Sequence, residues 1–411
     1  MNKPLRLAIV GAGLRSTILT ETVLMHAPWI TICGIADRVQ ARAELYRDRF
    51  GLLDVPCHAD PGRMLDETAP DAVAIFTPDD QHVEPACMAL KRGIHVYCEK
   101  PLATTLADCD TIIEAARHTT AVFYMGFNLR HMPLIRTARE LIADGEIGEI
   151  LTLEMNEHYA GGRTYFRRWN RLLARSGGLW VTKATHDFDA MRWMVGREPE
   201  SLYAIGGRRY LAATPPGAAR CSECDRVFEC PEYQPPGTLG WDERSDDPRV
   251  VAYWQRWQEL GADSGYLPLD ACLFGSQTDT IEHGMASVRF AGDVCATYTL
   301  NVIAPGGSSG RWLRASGTQG ALLVDPASQT VVVYNRNGKP KRTYDVSDLS
   351  SGSHGGGDRA IMWDFASACR TGKKPEASWA DGRAAVVMGL AATRSMASGQ
   401  AIKFSEMHAG A

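Results

Sequence analysis

The sequence predicts an α/β fold in two parts, a doubly wound parallel sheet followed by a region of mostly antiparallel strands. Three observations carry that expectation. Short apolar runs alternate with amphipathic stretches through the first third of the chain, and a glycine-rich turn directly follows the first run. Beyond about residue 150 longer, alternating segments take over. Strands separated by helix-length stretches indicate βαβ units, whereas strands joined by short turns indicate hairpins and meanders.

Leu5–Val10 reads as the first strand, Ile18–His26 as a helix and Ile30–Ala36 as the second strand. A helix over Ala41–Phe50 and a strand at Ala72–Phe76 follow. His82–Arg92 has helical spacing with Gly93 at its end, Ile94–Cys98 is the next strand, and Val122–Phe127 is placed to close the sheet. After the change of pattern the strands are Ile150–Glu157, Leu202–Gly206, Ile281–Phe290, Val294–Val302, Leu313–Gly317, Ala321–Val324 and Thr330–Asn335. The turn Phe290-Ala-Gly-Asp-Val294 joins two of them as an antiparallel pair. Arg359–Cys369 and Gly382–Ser398 have the spacing of amphipathic helices. Ala212–Pro248, rich in Pro, Gly and Cys, has no periodicity, and a loop that long inside a domain needs something to hold it.

The 411 residues are 45% hydrophobic and 22% charged, ample for a sizeable core. Basic side chains number 44 and acidic ones 48, a net charge of −4 that argues against nucleic acid or an anionic membrane as the main partner. No window reaches the roughly 18 apolar residues of a membrane span. The N-terminus runs straight into a strand, leaving no room for a signal peptide. Eleven cysteines, five of them scattered singly through the first 110 residues, imply no disulfide framework. A cytoplasmic protein is expected.

Gly11-Ala-Gly13-Leu14-Arg15-Ser16 lies between the first strand and the first helix, the dinucleotide fingerprint with Ser in the third small position. Glycine permits the tight turn and lets the backbone approach a pyrophosphate, which then rests on the helix N-terminus. Asp37 ends the second strand, 24 residues after Gly13. An acidic side chain there accepts ribose hydroxyls and repels a 2′-phosphate, which favours NAD over NADP; the adjacent Arg38 is the one feature on the side of NADP. Two further segments, Phe76-Thr77-Pro78-Asp79-Asp80-Gln81-His82 and Cys98-Glu99-Lys100-Pro101-Leu102, fall at the carboxyl ends of later strands. Ligands of this fold bind at that edge.

Gly11-x-Gly13, Thr77-Pro78 with His82, and Glu99-Lys100-Pro101 together resemble the Gfo/Idh/MocA family of sugar and cyclitol oxidoreductases. The strings Gly126-Phe-Asn128-Leu-Arg130, Ile147-Gly-Glu-Ile150 and Gly317-Thr-Gln-Gly320 extend the resemblance over nearly the whole chain. It implies a Rossmann domain followed by an α/β domain with a large, mostly antiparallel open sheet. Here these are residues 1–126, the NAD-binding domain, and 127–411, a substrate-binding and oligomerisation domain with a Cys-rich loop at 212–248. It further implies a small carbohydrate substrate and a homo-oligomer, dimer or tetramer, formed through the C-terminal sheet. NAD would be held by Gly11, Gly13, Leu14, Arg15, Ser16, Asp37, Arg38, Thr77, Pro78, His82, Glu99, Lys100 and Asn128. Lys100 would lie beside the nicotinamide and the reacting hydroxyl.

The family's second catalytic string is Asp-x-x-x-His with an Asp three residues on. The matching stretch is Thr182-Lys183-Ala-Thr-His186-Asp-Phe-Asp189, with Thr182 in place of the first aspartate. Taken as one helix, it puts Thr182, His186, Asp189 and Trp193 on one face and Ala184, Phe188, Met191 and Val195 on the other, so that His186 is presented to the cleft. Without the carboxylate, and with the cation of Lys183 beside it, the pKa of His186 is expected to fall, as is that of Lys100. The Lys-x-x-His form resembles a subgroup acting on glycosides. Upstream, Tyr159, Arg167, Arg168 and Trp169 interleave aromatic and guanidinium groups, candidates with Thr182, Lys183 and His186 for binding substrate. Arg forks hold carboxylate or sulfonate well, so an acidic sugar fits this cluster.

Cys221-x2-Cys224-x5-Cys230, with Cys272 arriving later, has the makings of a closed tetrahedral site, and structural zinc is expected on these four. Cys295 competes as the fourth ligand. The expected activity is oxidation of a secondary hydroxyl of a pyranose or glycoside by hydride transfer to nicotinamide, with Lys100, His186 and Lys183 catalytic. The rival is a redox-neutral, NAD-dependent glycoside hydrolase working by oxidation, elimination, hydration and re-reduction. A non-enzymatic NAD-sensing regulator is the remaining alternative.

Overall fold

The computed structural model describes residues 3–213, 216–235, 247–261 and 265–407. Strands β1 (Leu5–Val10), β2 (Ile30–Ala36), β3 (Cys57–His58), β4 (Ala72–Ile75), β5 (His95–Cys98) and β6 (Phe123–Met125) form a six-stranded sheet. Its order is β3-β2-β1-β4-β5-β6 and every pairing is parallel. The order reverses between β1 and β4, the crevice where this fold binds nucleotides. Helices α1 (Leu14–His26), α2 (Gln40–Arg49), α3 (Pro61–Thr68), α4 (Val83–Lys91) and α5 (Leu106–Arg117) make the crossovers. α1 starts four residues before the expected Ile18, because the glycine turn feeds into it and Gly13 is its N-cap.

The second sheet has nine strands. In chain order they are β7 (Ile150–His158), β8 (Pro199–Gly207), β9 (His283–Phe290), β10 (Val294–Asn301), β11 (Leu313–Gly317), β12 (Gly320–Asp325), β13 (Thr330–Asn335), β14 (Pro340–Asp345) and β15 (Ile402–Lys403). They are arranged β14-β13-β12-β11-β7-β10-β9-β8-β15, antiparallel throughout except for β7 beside β10. Burial alternates strictly along β9, as a sheet with one packed face requires. The packed face meets α6 (Pro133–Ala143), α8 (Leu179–Thr182) and α9 (Thr185–Val195), the last two following the short helix α7 (Leu173–Ser176). Leu151, Tyr203, Ile205 and Met285 stand on the open face.

The segment between β8 and β9 contains α10 (Tyr210–Ala213) and α11 (Pro248–Glu259). The aperiodic stretch predicted over 212–248 falls partly outside the described residues. Asp247 caps α11 by accepting from Arg249 N–H, and Pro248 takes the first helical position, where no donor is needed. The chain ends with α12 (Gly357–Thr371) and α13 (Trp379–Ser398), the latter opened by a Ser378–Asp381 capping box. These last helices return to the parallel sheet: Ile361, Met362 and Phe365 pack on one of its faces and Ala385 and Val386 on the other.

Candidate active site

A cleft of about 940 Å³ runs from the glycine turn to the helices beneath the second sheet. At its first end Gly11 has φ +97°, and a Cβ there would lie 2.8 Å from the Phe76 carbonyl, so only glycine fits. Gly13 caps α1 without a side-chain hydrogen bond and the first turn has no acidic residue, leaving those N–H groups facing the cleft for an anion. Asp37 accepts from Ala12 N–H at 3.0 Å and Val39 N–H at 2.9 Å, which fixes its carboxylate at the cleft edge with Arg38. These residues fit a dinucleotide.

The structure places other expected nucleotide residues differently. Leu14, Arg15, Thr77, Pro78, Glu99 and Asn128 line the cleft. Arg15 is spoken for: it donates to Glu99 Oε1 at 2.6 Å and to both oxygens of Asp358 at 2.8 and 2.9 Å, and Asn128 bonds the same carboxylate. Ser16 is off the wall, its hydroxyl donating to Gly13 O. His82 is fully buried between Pro101 O (2.8 Å) and Thr77 O (3.1 Å), fastening the two loops together rather than facing a ligand.

Lys100, Thr182, Lys183 and His186 meet at the other end of the cleft. The single helix expected over 182–195 is two: α8 stops at Thr182, Lys183 and Ala184 form the break, and α9 begins at Thr185. Of the face Thr182, His186, Asp189 and Trp193, only the first two line the cleft. Asp189 is instead buried against Arg130 in a bidentate pair (2.6 and 2.7 Å), and Trp193 lies under the same guanidinium. Lys100 Nζ donates to Thr182 O at 2.6 Å. Burial lowers the Lys100 pKa; nearby Asp79 and Glu99 oppose that and Lys183 adds to it. His186 is pushed well below the usual imidazole range, by burial first and then by Lys100, Arg311 and Lys183, and its Nδ1 has no partner. It is therefore an uncharged imidazole at neutral pH.

Lys183 Nζ is 3.5 Å from Glu157 and 3.7 Å from the Tyr159 ring centre. Glu157 also contacts Arg311, which pairs with Asp187 at 2.7 Å, and the Tyr298 hydroxyl completes that carboxylate at 2.8 Å. Tyr159, Arg168 and Trp169 line the cleft, but Arg167 points away and donates to Ala271 O. Sequence reasoning missed Asp79, Glu157, Arg311 and Trp257. Trp257 of α11 donates from its indole to Ala12 O at 2.6 Å, and the Arg42 guanidinium stacks on its ring at 3.5 Å.

The zinc expectation is not supported. Cys221, Cys224, Cys230 and Cys272 line a separate cavity of about 170 Å³, shared with Val227, Pro231, Tyr233, Leu273 and Phe274. Among the described residues no three His, Cys, Asp or Glu side chains are grouped to hold a metal. The Cys224 sulfur is met instead by the N–H groups of Ala218 and Arg226, which lower its pKa, and Cys295 lies exposed on β10. Among the described residues no helix is long and apolar enough to cross a membrane.

Residues 5–127 match the NAD-binding Rossmann domain of the GFO_IDH_MocA oxidoreductase family, and residues 139–404 match its C-terminal alpha/beta domain. The YteT protein of Bacillus subtilis (strain 168) is 29% identical over 358 residues, 81% of each chain. The 2,7-anhydro-N-acetylneuraminate hydratase of Escherichia coli (strain K12) is 32% identical over 174 residues, 42% of this chain and 45% of that one. A levoglucosan dehydrogenase in complex with NADH and levoglucosan has the same fold, with a TM-score of 0.72 at 19% identity, covering 98% of this chain and 100% of the other.

Proposed function

Because the chain belongs to the Gfo/Idh/MocA oxidoreductase family, we propose that it oxidises a secondary hydroxyl of a pyranose or glycoside, with NAD preferred to NADP. NAD, when bound along Gly11, Gly13, Asp37 and Thr77, supplies the hydride acceptor. The observation that carries the reading is a buried amine, Lys100, beside an uncharged imidazole, His186, at the carboxyl edge of the nucleotide-binding sheet. Lys100 accepts the hydroxyl proton, which a lowered pKa suits. Lys183 and Arg311 place positive charge where the oxygen becomes carbonyl-like. Tyr159 and Trp169 offer flat surfaces for a sugar ring, and Asp37 sets the preference against a 2′-phosphate. NADH formation across a panel of pyranoses and chromogenic glycosides tests this; no turnover on any of them defeats it.

A second reading is favoured by His186 in particular. Its unpartnered Nδ1 suits removal of a carbon-bound proton next to a newly formed ketone, with three cations nearby to hold the enolate. Elimination, hydration and re-reduction would then make the net reaction redox-neutral glycoside cleavage. Relatives named as hydratases of an anhydro sugar acid support it. Aglycone released in large excess over the NAD supplied, with solvent deuterium entering beside the oxidised carbon, distinguishes it. Assembly through the open face of the second sheet, where Leu151, Tyr203, Ile205 and Met285 stand, belongs to the same proposal. Sedimentation of Ile205→Asp against the wild type tests that part.

A further inference from the structure

Asp79 has no role in the chemistry above, yet it sits in the same cleft wall as Lys100 and Thr182. It begins a short 3₁₀ turn (79–81) after β4 but makes no cap bond there. Its side chain is buried, with 5% exposure, and its Oδ2 has no hydrogen-bond partner. A buried carboxyl oxygen without a hydrogen-bond partner is costly, so a structural role alone does not account for it. The groups facing it are few. The Thr182 hydroxyl bonds the carboxyl, Lys100 is the cation acting on it most strongly, and Asp80 and Glu99 add like charge. Asp80 is itself tied to Arg175 at 2.7 Å and Glu99 to Arg15 at 2.6 Å, so each has an arginine of its own, and Glu99 acts on Lys100 less than Asp79 does. Thr182 joins the two: its carbonyl holds Lys100 Nζ and its hydroxyl, which accepts from Asn170 at 3.0 Å, reaches Asp79.

We propose that Asp79 is the positioning residue that shares one proton with Lys100, protonated while Lys100 is a neutral amine and ionised once Lys100 has taken the proton of the substrate hydroxyl. In the resting pair the proton is on the Asp79 carboxyl and the Lys100 lone pair is free. When the substrate hydroxyl gives its proton to Lys100, the new ammonium favours ionisation of Asp79. The Asp79 proton then leaves to water in the cleft, so one proton is released per hydroxyl oxidised and the pair is left as ammonium and carboxylate. Transfer of the remaining proton back to Asp79 restores the starting state. Burial pushes the Asp79 carboxyl up to about 8, consistent with that resting form. The reaction part rests on the oxidoreductase reading, whereas the shared proton does not.

The test reads the pair directly. In protein labelled with ¹³C-aspartate, one carboxyl signal absent from Asp79→Asn should titrate near pH 8, against about 3.9 for an ordinary aspartate. Acylation of Lys100, followed across pH by mass spectrometry, should reach half its limiting rate at the same pH in Asp79→Asn, because the amide imitates the protonated carboxyl of the resting pair. Thr182→Val, which removes the bond to the carboxylate, should move the signal to still higher pH and covers the case in which Asp79→Asn does not fold. With an active substrate, Asp79→Asn should lower kcat and leave the acid limb of kcat/KM in place, because the ammonium formed in the reaction no longer has a carboxyl beside it that can ionise. A signal titrating near 4, together with a Lys100 profile that moves to lower pH in Asp79→Asn, overturns the proposal. Failure of the wild type on every substrate, with the titrations as expected, would refute the oxidoreductase reading and leave the pair standing.

Discussion

Two lysines face the cleft from opposite walls, and they are held in opposite ways. Lys100, after β5 of the parallel sheet, donates to a neutral carbonyl, that of Thr182, and Asp79 is the acidic group acting on it most strongly. Lys183, in the break between α8 and α9, has Glu157 and the Tyr159 ring as partners. One wall holds an amine able to change charge; the other holds a cation in a fixed network. A site that moves a proton and also stabilises developing negative charge needs both, and the fixed cation of Lys183 helps to lower the pKa of Lys100.

The contrast can be broken at its most sensitive point first. Lys100→Met should lower kcat/KM on the order of 10³-fold while the NAD dissociation constant stays within about threefold, measured by steady-state kinetics and calorimetry. A comparable loss of NAD affinity would make Lys100 a binding residue. Lys183→Met should cost about 10²-fold in kcat and also about 1–3 kcal/mol of stability, because Glu157 loses one of its two cations in a buried place. Glu157→Gln in the same chain should recover most of the stability but not the rate, as urea unfolding and kinetics would show. Asp37→Ser should weaken NAD binding about tenfold and NADP binding less, since it removes a charge and two hydrogen bonds, one from the glycine turn and one from Val39.

The smallest effect is a slope. Asp358, paired with Arg15 and His354 behind the Lys100 wall, is held well below the usual carboxylate range by those partners despite its burial. Its contribution is fully present above the unfolded value of about 3.9 and is lost as pH falls below it. Wild-type stability should therefore fall more steeply between pH 4 and pH 2, by up to about 1.4 kcal/mol per unit, than that of Asp358→Asn. Identical slopes in acid unfolding would remove Asp358 from the supports of that wall.

The nucleotide end was legible because its chemistry is local. Gly11, Gly13 and Asp37 announce themselves through strand, turn and helix within a few dozen residues. The Lys183 wall was not, because its partners converge from distant parts of the chain: Arg311 meets Asp187 across 124 positions. No spacing rule marks such a pair. The break at Lys183 was invisible for another reason, since neither glycine nor proline marks it and the helical pattern runs through it unbroken. α11 did carry a signal, Val250, Tyr253, Trp254 and Trp257 behind Asp247-Pro248, but it was masked by the irregular composition before it. The cysteines do gather around one small cavity, but among the described residues no three of them are grouped to hold a metal, a distinction that spacing in sequence does not carry.

The bond from Trp257 to Ala12 has a consequence in time. The glycine turn leaves the ribosome well ahead of the indole that fastens it, which lies 245 residues later. At about 5–20 residues per second, roughly 10–50 seconds separate the two. During that interval the nascent first domain has its sheet strands but not the lid on its nucleotide turn, so the chain cannot complete its own cofactor site until the second domain is well under way. A fragment ending after β6 would be the standing form of that intermediate.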